Sequence, residues 1–123
     1  MWVFTTHGFL SVVEHRQQPD TLIVRARVRS DLNAARERYF PSLTRTEFSD
    51  KSDYPYRGQI SRKAFAKGMR KVVADITYGN FKNAVEENQG NARSSIYMRI
   101  WSALIDLELD KRRIEKYFST FLD

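Results

Sequence analysis

Thr21-Leu22-Ile23-Val24-Arg25-Ala26-Arg27-Val28-Arg29 alternates apolar and basic residues with a period of two. Successive side chains of a β-strand point to opposite faces. Leu22, Val24, Ala26 and Val28 therefore go one way, and Arg25, Arg27 and Arg29 the other. The pattern predicts a sheet with one face on a core and one cationic face in water.

Outward from this strand, turns and apolar spacing predict the rest. Residues 2–16 read as a hairpin with His7-Gly8 between two runs rich in aromatic and β-branched residues. Gln17-Gln18-Pro19-Asp20 is a second turn. Ser30 is placed to cap a short helix carrying Leu32, Ala35, Tyr39 and Phe40, which Pro41 closes. Thr44 to Phe48 and Tyr54 to Ile60 read as two further strands. Ser61 is a second N-cap, ahead of Phe65, Met69, Val72, Val73 and Ile76 on one helical face, with Gly79 expected at the helix end. A short helix follows over Asn80 to Asn88. A long one begins at Ala92, with Ile96, Ile100, Trp101, Leu104 and Leu107 on one face and Ile114, Tyr117, Phe118, Phe121 and Leu122 continuing the spacing. Asp110-Lys111-Arg112-Arg113 interrupts that face as a bend or an exposed turn. The order β-β-β-α-β-β-α-α-α predicts a single α+β domain over residues 1–123. Its antiparallel sheet has four to five strands, with helices packed on one face.

Composition narrows the class. The 123 residues are 41% hydrophobic and 13% aromatic, too apolar for a charge-dominated disordered chain. There is no cysteine, which excludes disulfides and cysteine-based zinc sites. The first residues lack a basic segment followed by a long apolar run, and no apolar stretch is long enough for a membrane span, so a cytoplasmic location is expected. The net charge of +6 permits a polyanionic partner without demanding one.

Two basic surfaces carry the main functional expectation. Arg25, Arg27, Arg29 and Arg57 on sheet strands could grip phosphates with forked donors, with Tyr54, Tyr56 or Trp2 nearby to stack bases. An ordinary solvated sheet face reads the same way. Arg62, Lys63, Lys67, Arg70 and Lys71 fall within ten residues without one acid. Cations in a first helical turn oppose the helix dipole, so this run favours an acidic partner, either nucleic acid or an acidic protein. A solvated helix face is its plainer reading.

Other constellations are weaker. His7 and His15 would need Glu14 to hold a metal, and no helical ligand pair exists, so no metal and no cofactor are expected. The glycines are scattered singly, with no phosphate-binding loop and no nucleophile elbow. Asp50, Asp53, Asp75, Glu86 and Glu87 form no acid–base motif. A small enzyme with a site near His15, Asp53, Tyr56 and Arg57 is the least supported reading. Tyr54, Tyr56, Tyr78 and Phe81 lie in aromatic-dense segments that either seal the core edge or meet a partner protein. The C-terminal stripe packs a core or, failing that, a homodimer or partner helix.

The opening Met1-Trp2-Val3-Phe4 with Gly8-Phe9-Leu10-Ser11-Val12-Val13, His15-Arg16, Leu22-Ile23-Val24-Arg25-Ala26-Arg27, Asp53-Tyr54-Pro55-Tyr56-Arg57, Tyr78-Gly79-Asn80-Phe81-Lys82 and Trp101 form a further pattern. Over about residues 1–105 it resembles a group of small uncharacterised bacterial proteins. The resemblance implies a stand-alone bacterial or phage-borne cytoplasmic protein and brings no catalytic residue. The leading expectation is a small basic binding module.

Overall fold

In the computed structural model, which describes residues 1–122 and side chains through Thr120, strands and helices follow the predicted order. The strands are β1 (Trp2–Thr5), β2 (Gly8–Glu14), β3 (Thr21–Ala26), β4 (Glu47–Phe48) and β5 (Tyr56–Ser61). The helices are α1 (Arg29–Arg38), α2 (Arg62–Ala74), α3 (Phe81–Gln89) and α4 (Asn91–Leu122). The five strands form one antiparallel sheet in the order β1-β2-β3-β5-β4. The protein is thus α+β. The chain divides into two compact units, Met1–Gly79 and the remainder from Asn80 onward.

In the first unit the period-two pattern holds from Leu22 to Ala26, where β3 ends; Val28, expected on the same buried face, instead stands exposed at the start of α1. Leu22, Val24 and Ala26 are buried with Leu10 and Val12 of β2 and Ile60 of β5. Leu32 and Ala35 of α1, Phe65 of α2, and Tyr39, Phe40 and Leu43 complete this core. Phe40 and Phe65 stack at 4.7 Å with planes 9° apart. Gly68 permits that approach. A Cβ there would stand 2.2 Å from the Phe40 ring and 2.6 Å from the Tyr39 carbonyl oxygen. Arg36 staples α1 to the following loop, donating from Nε to the Leu43 carbonyl (3.1 Å) and from Nη2 to the Thr44 carbonyl (2.7 Å) and Thr46 Oγ1 (2.8 Å).

Helix ends show which local expectations gave way. Ser61 caps α2, its Oγ accepting from the Ala64 N–H at 3.1 Å. Ser30 caps nothing: α1 starts at Arg29 after Val28, without a side-chain cap. The carboxylate beside it is used elsewhere, since Asp31 Oδ2 accepts the Phe9 N–H of β2 at 2.9 Å. Helix α2 stops at Ala74 with Asp75 as its C-cap, so Gly79 does not end it, and Val73 and Ile76 are exposed instead of joining the core. The strand expected over Thr44 to Phe48 shrinks to two residues, although Thr44 still exchanges hydrogen bonds with Gln59.

In the second unit, Asn80 caps α3 through Oδ1, which accepts the Asn83 N–H at 2.9 Å, and Gly90 (φ 91°) separates α3 from α4. Val85 is fully buried, and Phe81 stacks on Tyr97 of α4 at 6.0 Å. Helix α4 runs unbroken through Asp110-Lys111-Arg112-Arg113, so this run is neither bend nor turn. The side chains of Phe121 and Leu122 lie outside the described ones. Among the described residues no helix is long and apolar enough to cross a membrane.

Candidate functional site

The sheet face that turns away from α1 and α2 carries the first basic surface. Strand register aligns Trp2, Ser11, Arg25, Arg57 and Glu47 in one row across all five strands. Arg25 and Arg57 are both half-buried. Arg25 donates from Nη2 to Ser11 Oγ at 2.7 Å, and Ser11 is only 1% exposed. Arg57 donates from Nη2 to Ser52 Oγ at 2.8 Å.

Tyr54 closes this surface. It is 5% exposed, and the guanidinium carbons of Arg25 and Arg27 each lie 4.7 Å from its ring centroid. Arg27 also donates to the Asp53 carbonyl at 2.9 Å, and Phe9 meets the other side of the cluster, 6.3 Å from Tyr54. Cation–π contacts of this kind strengthen as they are desolvated. The open cationic face expected from sequence is therefore corrected. The loop from Ser49 to Pro55 folds over it and makes Arg25 and Arg57 half-buried packing groups, while Arg27 stays exposed at its edge.

Arg29 does not share that face. Strand β3 ends at Ala26, and Arg29 is the first residue of α1. Its guanidinium lies 5.0 Å from the ring centroid of Tyr56, which is paired with Ala26 and packs on the core. Tyr56 thus serves the core edge.

The second basic surface is α2. Phe65 and Gly68 are buried, and Ala64, Met69 and Val72 half-buried, on one side of the helix. At 3.6 residues per turn Lys63, Lys67 and Arg70 fall on the opposite side, with Lys71 on its flank. All four are exposed. None makes an ion pair among the described residues. Lys63, Lys67 and Arg70 rim an open depression of about 500 Å³ along the helix. Arg62 behaves differently. It pairs with Glu14 Oε2 at 2.6 Å and donates to the Pro19 carbonyl at 2.7 Å, which ties the start of α2 to the β2–β3 turn. Because α2 and the arginine row lie on opposite sides of the sheet, the two basic surfaces do not form one footprint.

The remaining candidates separate. Among the described residues no group of His, Cys, Asp and Glu side chains could hold a metal ion. His15 sits at the Thr21 end of the sheet, with its N–H on the Thr21 carbonyl and its Nδ1 accepting from the Gln17 N–H. Thr21 pairs with Ser61, whereas Tyr56 and Arg57 stand at the other end of β5. The residues considered for an enzyme site are thus not brought together. Tyr39 Oη donates to Asp75 Oδ2 at 2.7 Å. Burial, then that bond, hold its phenol far above the usual value. The small pocket beside Tyr39, Asp31 and His7 is about 10 Å³, the space of roughly one water and too small for a substrate. Tyr78 and Phe81 are half-buried.

Sequence reasoning missed Ser11, Ser52 and Phe9 as members of the arginine cluster. Only register and the path of a loop bring them there. No family model, curated protein or solved structure matches the chain.

Proposed function

We propose that the protein is a binding module that takes the phosphate backbone of nucleic acid along the exposed side of α2. The observation that carries this reading is the stripe of Lys63, Lys67, Arg70 and Lys71, exposed and without acidic partners among the described residues. No acid occupies the first turn of α2, where one would favour the helix dipole. A helix built for stability alone would place acids there and intersperse them along the face. The arginine row supplies little to this reading, because Tyr54, Ser11 and Ser52 already hold its guanidinium groups.

Contacts of this type read phosphates and carry no base code. Fluorescence anisotropy with short single- and double-stranded DNA and RNA tests it. The expected result is binding at low salt whose log affinity falls linearly with log salt. No binding at low salt would retire the reading.

A further inference from the structure

Helix α4 leaves α3 behind and continues alone. Every described residue from Trp101 to Thr120 is exposed, including Leu104 (55%), Leu107 (67%), Ile114 (50%) and Phe118 (59%). With Ile100 these residues recur at alternating steps of four and three, the seam of a coiled coil, with Lys111 at the one polar seam position. The seam continues the side of α4 that Phe81 of α3 covers at Tyr97.

Charge along this bare stretch is segregated. Asp106, Glu108 and Asp110 are the charged residues of its first half, and Lys111, Arg112, Arg113 and Lys116 dominate the second, with Glu115 in their midst. Two such helices side by side in parallel would set acid beside acid and base beside base. Reversed about Leu109, Asp106 of each copy comes level with Arg112 of the other, and Lys111 of each copy stands close to the central Glu108 and Asp110 of the other.

We propose that α4 is a homodimerisation helix that pairs antiparallel with α4 of a second copy. The pairing is centred near Leu109, so that Leu107 meets Lys111, Leu104 meets Ile114 and Ile100 meets Phe118. Lys111 extends past the seam towards Glu108 and Asp110 of the other copy. The area suits a dimer. Trp101, Tyr117 and Phe118 are 59–60% exposed. With the seam residues they present on the order of 600 Å² of apolar surface per copy, at the upper end of what monomers leave uncovered. Two copies together reach about 1,200 Å², the lower edge of specific interfaces.

Sedimentation velocity of the full chain over roughly 1 to 200 μM tests the pairing. The expected species has twice the monomer mass. Leu107→Glu with Ile114→Glu, both at exposed positions, returns it to monomer with unchanged helicity by circular dichroism. The chain has no cysteine, so introduced thiols report orientation cleanly. Leu104→Cys and Ile114→Cys are expected to form a linked dimer on mild oxidation when mixed, and not when each is oxidised alone. A monomer at every concentration, an assembly larger than two, or self-linking of Leu104→Cys would each overturn the proposal.

Discussion

Arg25 and Arg57 stand directly opposite each other on β3 and β5, and the Nε of each is buried with no hydrogen-bond partner among the described residues. Two like charges placed opposite on one sheet face repel. They are held by the groups around them: Ser11 and Ser52 each take one guanidinium N–H, and the Tyr54 ring covers Arg25.

The two arginines are therefore not equivalent. Arg57→Met removes one like charge and leaves Ser52, which is half-buried and still accepts the Tyr54 N–H. Its expected cost is under about 1 kcal/mol, because a buried charge exchanged for an apolar group of similar shape is often neutral. Arg25→Met strands the hydroxyl of Ser11, which is 1% exposed, and is expected to cost about 1–3 kcal/mol. Urea unfolding of both variants checks the order. Equal costs would contradict this account of the row.

Tyr54→Ala removes the buried ring that two guanidinium groups share, and with it the contact to Phe9. A loss of about 3–5 kcal/mol is expected from a buried aromatic truncation. Tyr54→Phe keeps the ring and is expected to stay within about 0.5 kcal/mol. A large loss in Tyr54→Phe would mean that the hydroxyl, not the ring, does the holding.

Asp31 ties α1 to the β1–β2 hairpin through the Phe9 N–H. Asp31→Ala leaves that donor without its carboxylate and is expected to cost about 1–3 kcal/mol. Gly8 lies against the same carboxyl group. At φ +154° it adopts a backbone that other residues rarely take, and an added Cβ would stand 2.7 Å from Asp31 Cγ. Gly8→Ala is expected to destabilise by more than the roughly 1 kcal/mol of an average point substitution. Full stability of Gly8→Ala by thermal melting would contradict the close packing at this corner.

His7 gives the fold a pH dependence. Burial holds its imidazole below the ordinary 6.5; Arg38 adds to the shift and Asp75 opposes it. The unfolded chain then binds a proton at a pH where the folded one does not. Stability rises with pH through that window and falls as pH drops below about 6.5. Titration followed by the ring resonances in NMR should place the His7 midpoint under 6.5, and His7→Gln should flatten the acid side of the stability profile. A midpoint above 6.5 would contradict the assignment.

The legible part of the fold was what local chemistry decides alone. Leu22, Val24 and Ala26 announce a buried strand face because period two has no other reading in a half-covered sheet. Ser61 caps a helix because nothing competes for its hydroxyl. Ser30 fails because α1 starts one residue ahead of it, at Arg29, with Val28 in the cap position. The arginine parity of β3 was visible, but its meaning was not. Whether a cationic strand face meets water or a loop depends on where Ser52 and Tyr54 travel. For α4, the periodicity marks an apolar stripe without saying what covers it.

In the proposed function α2, and not the arginine row, holds the polyanion. The most direct measurement is the slope of log affinity against log salt, with the same single-stranded probe, for two sets of variants. Lys63→Ala, Lys67→Ala and Arg70→Ala combined should reduce the magnitude of the slope by about 2, since each lost phosphate contact on a single strand removes about 0.7. Arg25→Met with Arg57→Met should leave the slope unchanged. The reverse pattern, an intact slope in the α2 variant and a reduced one in the sheet variant, would contradict the account.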